Sequence, residues 1–137
     1  MACVVIIEDN PGDLLMIREA VNRMDPPLEM IPFEDGPPAL AALCDPGTCI
    51  RPDAILLDVR LRSSDGLEVL RKLRAIPHLA KTPVAILTSS TAEADERQAL
   101  SLGARFVPKS FRVDEFLDSI GNVLRQMVAS GPPTTGV

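Results

Sequence analysis

The chain has 137 residues, 46% apolar and 24% charged, and a formal net charge of −5 from 14 basic and 19 acidic side chains. That length supports one domain with a core of its own, and the apolar share excludes a disordered chain. No apolar run reaches the ~18 residues of a membrane span, and nucleic-acid binding is not expected: there is no basic stripe longer than Arg71-Lys72-x-Arg74, no Trp and no Tyr.

The chain opens Met1-Ala2-Cys3-Val4-Val5 and reaches Glu8-Asp9 without a basic stretch or a cleavage site. No signal peptide is expected, and a cytoplasmic location is the default. Cys3 to Ile7 is a continuous apolar run, which reads as a strand buried on both faces. It ends on Glu8 and Asp9. Asn10 then caps a helix with Pro11 at its first position, and Leu14, Ile17, Val21 and Met24 share one face until Pro26-Pro27 stops it. Leu28 to Phe33 reads as a strand, but Pro32 cannot donate to a ladder and so predicts an edge. Asp35-Gly36-Pro37 turns the chain into a short helix holding Leu40 and Leu43, and a loop from Asp45 to Pro52 follows.

Ala54-Ile55-Leu56-Leu57-Asp58 is a second doubly buried strand that runs straight into an acid. In α/β sheets the carboxyl ends of the strands face the ligand crevice. An ionised carboxylate is costly to bury, so Asp58 should sit at that rim beside water or a counter-ion. The plainer alternative is that Asp58 caps a loop or the next helix. After the polar loop Arg62-Ser63-Ser64, Asp65-Gly66 opens a helix with Leu67, Leu70 and Leu73 inside and a Glu68–Lys72 pair outside. Pro77 ends it, and His78 reads as a solvated loop residue, ill placed to be a phosphohistidine. Pro83 to Leu87 is the fourth strand and terminates in Thr88-Ser89-Ser90. Ser90 and Glu93 form a capping box for a helix that closes at Gly103.

Arg105 to Pro108 is a short last strand on the opposite edge. Val113, Phe116, Leu117, Ile120, Val123, Leu124 and Met127 then repeat at helical spacing, with Phe111 before them exposed enough to help make a dimer. Gly131-Pro132-Pro133 ends that helix, leaving residues 131–137 as a disordered tail. Cys3, Cys44 and Cys49 form no C-x-x-C and read as free thiols, the alternative being a Cys44–Cys49 bridge across Asp45-Pro46-Gly47.

Five strands alternating with five helices predict an α/β domain over residues 1–130, a doubly wound (βα)5 parallel sheet. The proline-marked edges suit the strand order 2-1-3-4-5, carried over from flavodoxin-like sheets. Strands one and three are then neighbours, and their tips bring Glu8, Asp9 and Asp58 together. Carboxylates so close need a cation among them. An oxygen-only set favours Mg2+ (or Mn2+) over zinc or copper. Thr88 and Lys109 end the fourth and fifth strands with a hydroxyl and an ammonium. The set suits phosphoryl transfer, with Asp58 as nucleophile and the cation, lysine and hydroxyl serving the phosphoryl oxygens. Plainer readings stand beside each residue: Glu8 and Asp9 as acids at a helix entry, Thr88 as a strand terminus, Ser89 and Ser90 as turn and cap residues, Phe106 as a half-buried edge aromatic. The amide of Ser89 is also within reach of a phosphate oxygen.

Glu8-Asp9, Asp58 after a buried strand, Asp65-Gly66, Thr88, Phe106 and Lys109 occur in an order that resembles a response-regulator receiver domain of two-component signalling, over about residues 2 to 130. The opening Glu8-Asp9-Asn10-Pro11-Gly12-Asp13 and the Lys109-Ser110 step are similar to the single-domain regulators paired with bacterial and cyanobacterial phytochromes. The resemblance implies Mg2+ (or Mn2+) held by Asp9, Asp58 and the backbone carbonyl of Arg60, with Glu8 helping through water. It implies phosphorylation of Asp58 by a sensor histidine kinase, a bacteriophytochrome among the candidates, and a phosphate site at Lys109 and the Ser89 amide. Thr88 and Phe106 would form a switch that changes the face of the fourth helix, fifth strand and fifth helix for partner docking or homodimer formation. Catalysis would be limited to self-phosphorylation and dephosphorylation, with no attached output domain. Four positions depart from the commoner pattern. Arg60, two residues past the acceptor, puts the phosphoryl lifetime in question. Arg62 and Ser63, where proline is frequent, should loosen their loop. Ser110 replaces a proline, and since a cis peptide before a non-proline costs about 3 kcal/mol, the reach of Lys109 should differ. The competing readings are an aspartate-nucleophile phosphohydrolase, disfavoured because Arg60 stands where its second acid belongs, and a receiver-like adaptor that is never phosphorylated. A flavin or dinucleotide binder is less favoured still, for want of a Gly-x-Gly-x-x-Gly after the first strand.

Overall fold

Largely apolar runs of four or five residues and amphipathic stretches alternate along the chain, and the computed structural model, which describes residues 2–89 and 93–130, builds a strand or helix from each. The elements are β1 (Cys3–Ile7), α1 (Pro11–Asn22), β2 (Glu29–Phe33), α2 (Gly36–Cys44), β3 (Ala54–Asp58), α3 (Gly66–Ala75), a 3-10 turn (Pro77–Leu79), β4 (Val84–Thr88), α4 (Glu93–Ser101), β5 (Arg105–Pro108) and α5 (Val113–Ser130). The Ser90 half of the expected capping box and the tail 131–137 lie outside the described residues.

All strand pairs are parallel, in the order β2-β1-β3-β4-β5. β1, β3 and β4 are buried throughout, while the proline-bearing β2 and β5 are the partly exposed edges. Strand alternation divides the core in two. Val4, Ile6, Leu56 and Leu87 face α1 and α5, packing on Ile17, Phe116, Ile120 and Leu124. Val5, Ile7, Leu57 and Ile86 face the other helices, packing on Leu43, Leu70, Leu73 and Ala99. Each of these fully buried Leu and Ile side chains contributes about 1.5–3 kcal/mol, which fixes the register and with it which residues end the strands.

Caps set where the helices begin. Asn10 accepts from the Asp13 amide at 3.1 Å, Asp35 from Gly36 at 2.8 Å and Asp65 from Leu67 at 3.0 Å. Gly103, at φ +74°, ends α4 in the left-handed conformation, with the Ala104 amide donating to the Ala99 carbonyl and the Gly103 amide to that of Leu100, each at 3.0 Å.

Several expectations are corrected. Val113 begins the apolar stripe of α5 but is 58% exposed, because the stripe starts before the helix lies against the sheet. Glu68 pairs with Arg71 (i,i+3) and not with Lys72. The 62–64 loop is tethered, not loosened: Ser64 donates to Asp35 at 2.7 Å and Ser63 donates to its other carboxylate oxygen. These hydroxyls hold the Asp35 carboxyl below the usual range. His78 is exposed, yet its Nε2 donates to the Leu43 carbonyl at 2.8 Å, satisfying an orphan at the end of α2. Cys3, Cys44 and Cys49 are free thiols.

Arg74 is a clasp. Its guanidinium donates to the carbonyls of Leu102 (2.8 Å), Gly103 (3.3 Å), Thr82 (2.6 Å), Leu79 (3.2 Å) and Ala80 (3.5 Å). It joins the end of α3 to the end of α4 and to the entry of β4.

Candidate functional site

The alternation that sorts the core also sorts the strand tips. Counting on by twos, Glu8 follows Val4 and Ile6, Asp58 follows Leu56, and Lys109 follows Val107, so all three emerge on the α1/α5 side. Glu8, Asp9 and Asp58 each place a carboxylate oxygen within 4.8 Å of the others. Glu8 is 2% exposed and Asp58 5%. The Lys109 ammonium lies 3.1 Å from Asp58, 3.4 Å from Glu8 and 2.7 Å from Asp13. The Lys109–Ser110 peptide is not cis, and the lysine ammonium contacts the Asp58 carboxylate. Its reach is kept.

Local structure fixes Glu8 and Asp58. The Asn10 amide donates to Glu8 at 3.0 Å and the Arg60 amide to Asp58 at 3.0 Å. Behind Asp58, Gly66 lets the start of α3 pass against the strand end. A methyl group at position 66 would strike the Asp58 carbonyl oxygen and stand 2.6 Å from the Val59 Cα, and the Gly66 amide donates to the Val59 carbonyl at 2.8 Å. Only glycine allows that approach.

Burial and the adjacent Asp58 push the Glu8 carboxyl up to about 8. Burial alone would lower the Lys109 ammonium, but Asp13, Glu8 and Asp58 outweigh it and hold it above its ordinary range. The crowd of acids thus carries more negative charge than one lysine neutralises, and Glu8 responds by keeping its proton. Hard oxygen donors this close, one of them too buried to ionise unaided, fit a divalent cation of the Mg2+ or Mn2+ kind.

Thr88 is fully buried at the tip of β4, opposite Pro108, and its carbonyl accepts from the Lys109 amide at 2.7 Å. Phe106 lies two residues before Pro108 on the α3/α4 side of the sheet and is half-buried. Ser89 is exposed just beyond. Arg60 sits at the rim in a backbone bridge with Asp65, its exposed side chain lining a cleft of about 410 Å3 with Ser64, Asp65 and Asp95. Asp13 is the residue that sequence reasoning missed. An acid three residues after an Asn-Pro cap reads as a complement to the helix dipole, and only the packing of α1 beside the end of β5 reveals its lysine.

The family model described as the response regulator receiver domain matches residues 4–121. The chain belongs to this family. Among curated relatives, the response regulator Rcp1 of Synechocystis sp. is 35% identical over 95 residues, 67% of this chain and 65% of that protein. The chain spans 65% of Rcp1 and 32% and 54% of two other curated regulators that it matches. Among solved structures, the phosphorylated cyanobacterial phytochrome response regulator RcpA is 28% identical, with a TM-score of 0.88 over 97% of this chain and 99% of that one. The Mn2+-bound form of Rcp1 is 26% identical, with a TM-score of 0.86 over 96% and 98%. The receiver fold is therefore the flavodoxin-like (βα)5 sheet expected from the strand and helix alternation.

Proposed function

We propose that this receiver domain, residues 1–130, accepts a phosphoryl group on Asp58 from the phosphohistidine of a sensor histidine kinase. The observation that carries the reading is the Lys109 ammonium 3.1 Å from an Asp58 carboxylate that shares its crevice with Glu8 and Asp9. An Asp58 oxygen gives its electron pair to phosphorus. The P–N bond breaks and its pair stays on the imidazole nitrogen, so the attacking group needs no base. Glu8, Asp9, Asp58 and the Arg60 carbonyl would hold the cation, which when bound supplies positive charge to the phosphoryl oxygens. Lys109 neutralises a further oxygen, and the Thr88 hydroxyl and Ser89 amide bind the others.

The relay follows from the same placement. Thr88 and Phe106 share the α3/α4 side, so a shift of Thr88 toward the acyl phosphate opens space that Phe106 fills. The α4-β5-α5 face then changes for a partner or a second copy. Leu100 at 54% exposure on α4 and Phe111 at 104% beside α5 supply apolar contact there. Likeness to RcpA supports a phytochrome-type kinase. Among the described residues no helix is long and apolar enough to cross a membrane, and a cytoplasmic site, without nucleic acid, belongs to the same reading.

The test is intact mass after incubation with Mg2+ and acetyl phosphate. One added phosphoryl group is expected, labile in alkali and absent in Asp58→Asn. An unchanged mass with both acetyl phosphate and a cognate kinase sinks the proposal. Steady turnover of phosphate esters would point to a hydrolase.

A further inference from the structure

We propose that Asp13 is a positioning residue for Lys109, holding its ammonium in place while the phosphoryl group is captured on Asp58. The inference rests on the phosphoacceptor reading above and adds to it a residue outside the cation-binding acids.

An ammonium has three N–H donors, and Lys109 directs them at Asp13 (2.7 Å), Asp58 (3.1 Å) and Glu8 (3.4 Å). The first distance is that of a full charge-assisted hydrogen bond, while the other two are longer and weaker. Glu8 and Asp58 also have a second duty, since their oxygens belong to the set that fits a divalent cation. Asp58 has a third, as the attacking group. Asp13 lies outside the cation set and attacks nothing. Its contact is therefore the one Lys109 keeps however the other two acids are used. The Lys109 and Asp13 side chains are 17% and 20% exposed, so water competes little for the bond.

Asp13 is itself held. It sits in the first turn of α1, where Pro11 presets the backbone and its amide donates to the Asn10 side chain at 3.1 Å. The Asn10 amide in turn donates to Glu8 at 3.0 Å. One turn of chain thus fixes both the cap and the lysine's anchor.

During capture the Asp58–phosphorus bond forms and the P–N or P–O bond of the donor breaks, its electron pair leaving with imidazole or acetate. A phosphoryl oxygen takes over the two Lys109 N–H groups that had pointed at Asp58 and Glu8. The third stays on Asp13, and the lysine neither gains nor loses a proton. Asparagine at position 13 keeps an acceptor without the charge; alanine keeps neither.

The test uses the full chain labelled with 15N-lysine and 13C-aspartate and loaded with Mg2+. Wild type should show a slowly exchanging Lys109 ammonium signal coupled across its hydrogen bond to the Asp13 carboxyl carbon. Asp13→Ala should lose that signal and react with acetyl phosphate about tenfold more slowly, with Asp13→Asn between the two. Mg2+ affinity, measured without phosphodonor, should change far less than the rate. An Asp13→Ala chain that reacts at the wild-type rate overturns the inference, as does one that slows while its ammonium signal persists. A loss of Mg2+ affinity matching the loss of rate would make Asp13 part of the cation site and also overturn it. A wild-type chain that takes no phosphoryl group sinks the function and this inference together, whereas normal wild-type reaction beside an unaffected Asp13→Ala sinks the inference alone.

Discussion

With no cation beside it, Glu8 keeps its proton to about pH 8 because it is buried against Asp58. In the unfolded chain it ionises near 4.5. The folded value is the higher one, so its stabilising effect is complete below the unfolded value and is lost as pH rises toward 8. A cation runs the linkage the other way: it displaces the proton, so its affinity climbs across the same window. Metal-free wild type should therefore lose stability to urea between about pH 5 and pH 8 relative to Glu8→Gln, while its Mg2+ affinity rises and that of the variant stays flat. A pH-independent difference between the two proteins would contradict a neutral Glu8. Glu8, Asp9, Asp58 and Lys109 were legible in the sequence because each follows an apolar run, and a strand's carboxyl end is a fixed address in an α/β sheet. The protonation of Glu8 was not, since it depends on how many acids share one lysine.

Among the elements, α3 and α4 are joined by Arg74, whose guanidinium is satisfied by main-chain carbonyls alone in the hydrogen bonds described above. Burial lowers its pKa, but an arginine remains charged. Arg74→Met keeps the apolar stem and removes every donor. It should cost about 2 kcal/mol in urea denaturation and speed amide exchange at residues 102–104, just past the end of α4. Unchanged exchange there would remove the clasp from the account. In the sequence Arg74 looked like part of a solvated basic patch, because nothing local says that an arginine in the last turn of α3 bends over the end of α4. Pro32 and Pro108, by contrast, announced their edges through a missing N–H. Ser63 and Ser64 misled for a related reason: a loop without proline reads as loose until Asp35, on another element, turns out to accept from both.

For the whole molecule, strand and helix alternation pointed to the parallel sheet, while the strand order was carried over from flavodoxin-like sheets and agreed with the two proline-marked edges. The fold gathers acids at one end of a chain whose net charge is already −5, so part of its folding energy is spent on their repulsion. A divalent ion that binds the native state alone should return it. At a concentration 100-fold above its dissociation constant, Mg2+ should add about 2.7 kcal/mol to unfolding, and Asp58→Asn should cancel most of the gain. Equal stabilisation of both proteins, followed by denaturant titration with and without Mg2+, would place the ion elsewhere.

Gly66 carries a final consequence. The first residue of α3 rests on the peptide that bears Asp58, with no gap for even one carbon atom. The helix is thus a backstop for the peptide that carries the Asp58 carboxylate. If Asp58 is the phosphoacceptor proposed above, substitutions beneath the helix, in the floor of α3, should act as shims, tuning the tempo of the chemistry while every reacting group stays as it is.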